Sequence, residues 1–130
     1  IDKYDLDCRE VLLREGHYLE EDAFLETESL LNLPERPTAI VAGDDTMACG
    51  VLRKAKEKGL RVPEDLAVVG CNNTCITNPA LTTLDGLGGV VGKTATEMLI
   101  GIIENKKIEQ TKVVIKPKLI VRESCGGLKQ

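Results

Sequence analysis

The 130-residue chain carries a net charge of −4 and is 42% hydrophobic but only 2% aromatic. Its length suits one domain that buries enough surface to fold without a metal or a disulfide. The acidic balance excludes a direct grip on nucleic acid, three rings (Tyr4, Tyr18 and Phe24) are too few for a base-stacking surface, and no run nears the roughly 20 apolar residues of a membrane span.

Residues 9–16, REVLLREG, have a short apolar centre and read as a strand. In EEDAFLETESLLNL, residues Ala23, Phe24, Thr27, Leu30 and Leu31 recur at helical spacing, and Pro34 stops the helix. TAIVA, residues 38–42, is apolar without alternation, as in a strand of a covered parallel sheet. Residues 46–58 form a helix whose Ala48, Val51, Leu52 and Ala55 fall at i, i+3, i+4 and i+7 on one face. Asp44 or Asp45 can cap it, and both acids suit the positive end of its dipole. Gly59 stands where a glycine ends a helix. The basic run of Arg53, Lys54, Lys56, Lys58 and Arg61 reads as a solvated helix face.

After the Pro63 turn, residues 66–70 form a second continuous apolar strand. A turn at Asn78-Pro79 precedes a short extended TTL, and DGLGG is flexible punctuation. Residues 90–104 form a helix with Val91, Ala95, Met98, Leu99 and Ile102 on one side. Residues 112–124 are extended and broken at Pro117. Strands alternating with helices, and apolar on both faces, define an α/β fold: a parallel sheet flanked by helices.

Five cysteines, Cys8, Cys49, Cys71, Cys75 and Cys125, are an odd number without a CxxC pair. They read as free thiols in a reducing, cytoplasmic setting, with no native disulfide. The single His17 is remote from them in sequence, so no metal or cofactor is expected. Ile1 is not a natural start, and the N-terminus is expected to be incomplete.

In an open parallel sheet, ligands bind beyond the carboxyl ends of the strands. Asp44 and Asp45 follow one strand, and Asn72 and Asn73 follow the next. A carboxylate pair and an amide pair on one rim suit a small polyhydroxylated or amide-rich ligand, since each lost partner would leave a polar group unpaired. The plain alternative is that Asp45 caps the helix, Asp44 faces water and CNNTC is only a turn.

The segment PTAIVAGDDTMACGVLRKAKEKGLRVPEDLAVVGCNN, followed by PALTTL and LIVRESC, resembles the C-terminal half of a LacI/GalR-family transcriptional regulator. The resemblance implies a periplasmic-binding-protein-like effector domain of two Rossmann-type lobes, of which this chain is a fragment. Residues 1–84 and 118–130 would belong to the C-terminal lobe. Residues 85–117 would be a crossover helix and strand of the N-terminal lobe, with LDGLGG and IKPK as hinge crossings. A helix-turn-helix domain for operator DNA would precede them.

In that family the first member of each polar pair commonly faces the effector, which assigns contacts to Asp44 and Asn72, beside Asp45 and Asn73. The family's Asn-Asp is Asp44-Asp45 here, and its Asp-Asp is Asn72-Asn73, so amide and carboxylate have traded places. Homodimerisation would use the helix start (Met47, Cys49, Gly50) and the loop of Thr74, Cys75, Ile76 and Thr77. The implied function is binding of a small sugar or similar metabolite in a regulator. The alternatives are an extracytoplasmic solute receptor of a transporter, or an enzyme whose strand-end acids hold magnesium. No GxSxG motif supports catalysis, and no enzymatic activity is expected.

Overall fold

The computed structural model describes residues 9–75, 77–106 and 110–127. In chain order its elements are α1 (Glu20–Leu31), β1 (Ala39–Val41), α2 (Asp45–Glu57), β2 (Ala67–Cys71), β3 (Thr82–Asp85), α3 (Gly88–Ile103) and β4 (Lys118–Ile120). Short 3-10 turns stand at Glu10–Leu12 and Glu123–Cys125. The four-stranded sheet has the order β1-β2-β3-β4. β1, β2 and β3 are parallel, with Val41 opposite Val69 and Gly70 opposite Thr83. β4 is antiparallel to β3, with Asp85 opposite Lys118. The sheet is therefore mixed rather than purely parallel. The chain leaves the sheet at the carboxyl end of β3 and returns at the same end, so its last strand must run backwards.

The core lies between α2 and the sheet. Ala48, Val51, Leu52 and Ala55 are all buried, as their spacing predicts, against Leu66, Val68 and Leu81. Burying each Val or Leu contributes roughly 1.5–3 kcal/mol, so this stripe sets the position of α2. The helix is closed at both ends. Asp44 Oδ1 accepts the Met47 N–H at 2.8 Å. At the other end Gly59, at φ 70°, lets the Leu60 N–H reach Ala55 O at 2.9 Å and its own N–H reach Lys56 O at 3.1 Å. This is the glycine-ended cap that LysGlyLeu at residues 58–60 predicts. The following turn is held by Arg61, whose guanidinium grips Asp65 through two bonds of 2.8 Å.

α1 packs on α2, and here the sequence reading needs correction. Lys54 is not on a solvated face: it is 2% exposed, its Nζ lies 3.7 Å from the centre of the Phe24 ring, and it pairs with Glu57 at 2.8 Å and Glu28 at 3.3 Å. Arg53 crosses the same ring at 4.2 Å and pairs with Glu20 and Glu21. The two helices approach closely because Gly50 has no side chain to separate them. Part of the basic run thus forms a helix–helix contact, with both cationic groups over one ring and paired to acids.

Lys58 and then Lys54, both bonded to Glu28, hold its carboxyl below the ordinary range. A depressed folded-state value contributes stability above the unfolded value near 4.5, and loses it as pH falls through the lower folded value. Glu28→Gln is therefore expected to lower the urea midpoint at pH 7 and to flatten the loss of stability in acid. Identical pH profiles for the two proteins, measured by circular dichroism, would refute this role.

Three segments differ from expectation. Residues 9–16 form no strand: the Leu12 and Leu13 amides bond locally, to Arg9 O and Glu10 O. The extended stretch of residues 112–124 narrows to β4, beginning just after Pro117, which has no N–H to give a ladder. α3 forms over the predicted residues but buries none of them, and Val90, Val91, Leu99, Ile100, Ile102 and Ile103 are exposed. On the sheet itself Val41 is 81% exposed, so β1 is not covered on both faces among the described residues.

Candidate functional site

The carboxyl ends of β1, β2 and β3 lie side by side and carry, in turn, Asp44 with Asp45, Asn72 with Asn73, and Asp85. The two acids after β1 have separate roles. Asp44 caps α2 through Oδ1 and is half-buried. Asp45 is 0% exposed. Its Oδ1 accepts the Thr83 hydroxyl at 2.6 Å, and its Oδ2 accepts the Thr74 N–H at 2.6 Å. The capping residue is therefore Asp44, not Asp45. Gly70 makes the buried carboxylate possible, because a Cβ there would lie 2.4 Å from Asp45 Oδ1.

The asparagine pair has a backbone reason. Asn72 has φ 93° and Asn73 has φ 55°, left-handed values that asparagine tolerates better than most residues. The Asn72 N–H bonds to Leu84 O at 2.8 Å and continues the β2–β3 ladder. Asn73 is tied inward: its Oδ1 accepts from Arg122 Nη2 at 2.7 Å, its Nδ2 donates to Asp85 Oδ2 at 3.4 Å, and its N–H donates to Thr83 Oγ1 at 3.3 Å. The Thr83 hydroxyl thus joins Asp45 to Asn73. Asp85 Oδ1 accepts the Leu87 N–H at 2.8 Å and shapes the start of the crossing into α3. Asn72 is exposed, with its Oδ1 meeting only the Cys71 thiol at 3.7 Å, and its Nδ2 and the second oxygen of Asp44 are polar groups of the rim that this network leaves open.

Thr83, Asp85 and Arg122 are members of the rim that sequence reasoning missed. Asp85 ends a strand and was open to the same argument as Asp44. Arg122 stands in the LIVRESC motif, but nothing local tied it to the rim, since it reaches Asn73 and Leu81 O only through the β3–β4 pairing.

The residues expected at a dimer interface are divided. Gly50 is buried under α1, where a Cβ would lie 2.2 Å from Glu20 O, and Met47 packs beside Gly16 and Gly43. Gly50 thus packs against α1, and half-buried Met47 against the preceding turn. Cys49, Thr74, Cys75 and Thr77 keep exposed or half-buried positions, and Ile76 lies outside the described residues. Cys49, Cys71, Cys75 and Cys125 are free thiols, while Cys8 lies outside the described residues. Among the described residues no group of acids, histidines and cysteines forms a metal site, and no helix is long and apolar enough to cross a membrane.

Two cavities stand out among the described residues. The larger, about 260 Å³, lies between α1 and β1 and is lined mainly by apolar groups such as Leu12, Leu30, Ile40 and Val51. Its charged residues, Arg14 and Glu26, pair with each other at 3.3 Å. The smaller, about 230 Å³, opens beside the rim between Asn73, Cys75, Thr77 and Arg122.

A three-stranded parallel run with a polar rim at its carboxyl ends is the feature of an open α/β ligand-binding fold. The chain belongs to the family described as a periplasmic binding protein-like domain, which it matches over residues 2–125. It is 38% identical over 115 residues to the HTH-type transcriptional repressor PurR of Escherichia coli O139:H28, covering 86% of this chain and 34% of the relative. It is also similar to the crystal structure of a LacI-family regulatory protein from Chloroflexus aggregans, with a TM-score of 0.88 and 31% identity over 96% of this chain and 46% of the other. A transcriptional regulator CelR–cellobiose complex superposes with a TM-score of 0.86 and 27% identity, over 94% of this chain and 38% of the other. The chain thus spans about a third of the curated relative's length and under half of each of these structures.

Proposed function

We propose that the chain is part of the effector-binding domain of a LacI-like transcriptional regulator. It supplies one wall of the cleft for a small sugar or similar metabolite. The observation that carries this reading is the rim itself: Asp44 Oδ2 and Asn72 Nδ2, at the ends of the paired strands β1 and β2, are polar groups that the hydrogen bonds of the fold do not consume. Asp45 has no surface to offer a ligand, so its part is to position Thr74 and Thr83, with Asn73 as the link to Asp85 and Arg122. The relatives support the reading, being named as regulators, one of them in complex with cellobiose. They favour it over a transport receptor.

On this reading residues 85–117 belong to the other lobe, whose contact would cover the exposed apolar residues of α3. Homodimerisation would use the start of α2 (Met47, Cys49, Gly50) and the loop of Thr74, Cys75, Ile76 and Thr77, of which Cys49, Thr74, Cys75 and Thr77 are exposed or half-buried outside the α1 contact. Operator DNA would be held by a separate domain, in the cytoplasm, and the protein would catalyse no reaction.

The test is Asp44→Ser in the full-length regulator. Serine still caps a helix, so α2 is preserved, but the carboxylate is gone. The effector concentration for a half-maximal change in operator binding is expected to rise about 10- to 100-fold, the value of a hydrogen bond to a charged group, with effector-free operator affinity unchanged. A superimposable response curve, across a panel of sugars that act on the parent protein, would remove Asp44 from the site.

A further inference from the structure

The larger cavity, about 260 Å³, is a slot with two backbone walls. One wall is the outer edge of β1. The Ala67 N–H donates to Thr38 O and the Ala42 N–H to Val69 O, so the even-numbered residues of β1 turn their peptide groups to β2. The peptide groups of Ala39 and Val41 therefore point outward, and among the described residues no strand lies beyond them.

The other wall is the stretch 11–16. It makes no ladder, yet its burial alternates as a strand's does: Val11, Leu13 and Glu15 are exposed, Leu12 and Arg14 are half-buried, and Gly16 is buried. Leu13 has the extended angles φ −90° and ψ 130°. Leu12, Arg14 and Gly16 line the slot opposite Ala39, Ile40 and Val41. The floor, from α1 and α2, asks for nothing polar. Ala23, Leu30 and Val51 are buried apolar groups there, the Thr27 hydroxyl is spent on Ala23 O at 2.6 Å, and Arg14 pairs with Glu26 at 3.3 Å. A polar effector would find no partner in it. An extended apolar segment would find an unpaired strand edge on one side, a strand-like wall on the other and an apolar bed beneath.

We propose that the slot seats one β-strand from the part of the regulator's own polypeptide outside these 130 residues, paired to β1 on one side and to residues 11–16 on the other. This rests on the chain being part of a longer regulator, not on which ligand the rim takes. The chain covers 34% of the PurR relative, so a regulator of that length has ample polypeptide to supply the strand. A second copy of this chain fits worse. The strand edges it could offer, on β1 and β4, belong to strands already paired on their other side, and a paired strand cannot enter between two walls. The seated strand is apolar on its helix-facing side, to match the floor. It is apolar on its other side too, beside the exposed Val41, and it holds no proline. Its arrival turns the stretch 11–16 into the strand that its alternation describes.

Residue-resolved amide hydrogen exchange tests this in the full-length regulator and in the 130-residue chain, each diluted until sedimentation shows single chains. In the full-length protein the Ala39 and Val41 amides are expected to exchange as slowly as that of Ile40, which is turned to β2 in either case. In the 130-residue chain they should exchange about a thousandfold faster than that of Ile40, as at an open edge. Val41→Pro is the second arm. It removes an N–H that the β1–β2 pairing does not use, so it should lower the urea midpoint of the full-length regulator and leave that of the 130-residue chain unchanged. Fast exchange at Ala39 and Val41 in the full-length protein would overturn the proposal. So would protection that appears only when the concentration is raised until copies pair, which would put a second copy in the slot, or equal losses from Val41→Pro in the two proteins. None of these results bears on the Asp44 test, which reads the response to effector.

Discussion

Replacing Gly50 with alanine should destabilise the chain by about 1–3 kcal/mol, although alanine is the better helix former. Helix propensity alone favours the substitution by about 1 kcal/mol. Opposing it, the new Cβ would lie 2.2 Å from Glu20 O and 2.9 Å from Phe24 N. Both are backbone atoms of α1, and neither can rotate away. The helices must separate, which loosens the contacts of Arg53 and Lys54 over Phe24. Steric conflict in a buried helix contact therefore outweighs propensity. Gly92→Ala in α3 is the control, since nothing lies within 4 Å of its Cβ position and only the propensity gain applies. Urea unfolding followed by circular dichroism separates the two. A Gly50→Ala midpoint equal to or above that of the parent would show that α1 and α2 do not meet as described.

Asp45→Ala should cost about 3 kcal/mol and release the loop after β2. The lost carboxylate leaves the buried Thr83 hydroxyl without its acceptor, worth about 1–3 kcal/mol away from water, and frees the Thr74 N–H from a bond to a charged group, worth about 1.5–3 kcal/mol less what solvent returns at that exposed residue. Hydrogen exchange gives the more specific readout. The Thr74 amide should lose its protection in the variant, while core amides of β2 such as that of Val68 should lose only what the global destabilisation explains. Unchanged protection at Thr74 would mean that Asp45 does not hold the loop. A surface acid merely capping a helix would give a loss of about 1 kcal/mol and no effect at Thr74.

The α2 stripe, its glycine end and the two apolar strands β1 and β2 were legible in the sequence, because each depends on neighbours within about one turn or one strand. Ala48, Val51, Leu52 and Ala55 could face only one way, and Gly59 could only end the helix. The polar pairs after β1 and β2 were legible for the same reason, as residues that follow a buried run. The order and spacing of those motifs also carried the family. What each polar group does was decided by partners distant in the chain. Asp44 and Asp45 are adjacent and chemically alike, yet one caps at the surface and the other is sealed in by Thr74, Thr83 and the bare Cα of Gly70. Lys54 looked like a solvated charge until Phe24, Glu28 and Glu57 closed around it. The direction of β4 also waited on the tertiary structure, since it follows from the end of the sheet at which the chain returns. Local pattern sets which segments are helix or strand, because those energies are summed over near neighbours. Long-range contacts then decide which polar groups are spent on the fold and which are left to meet a ligand.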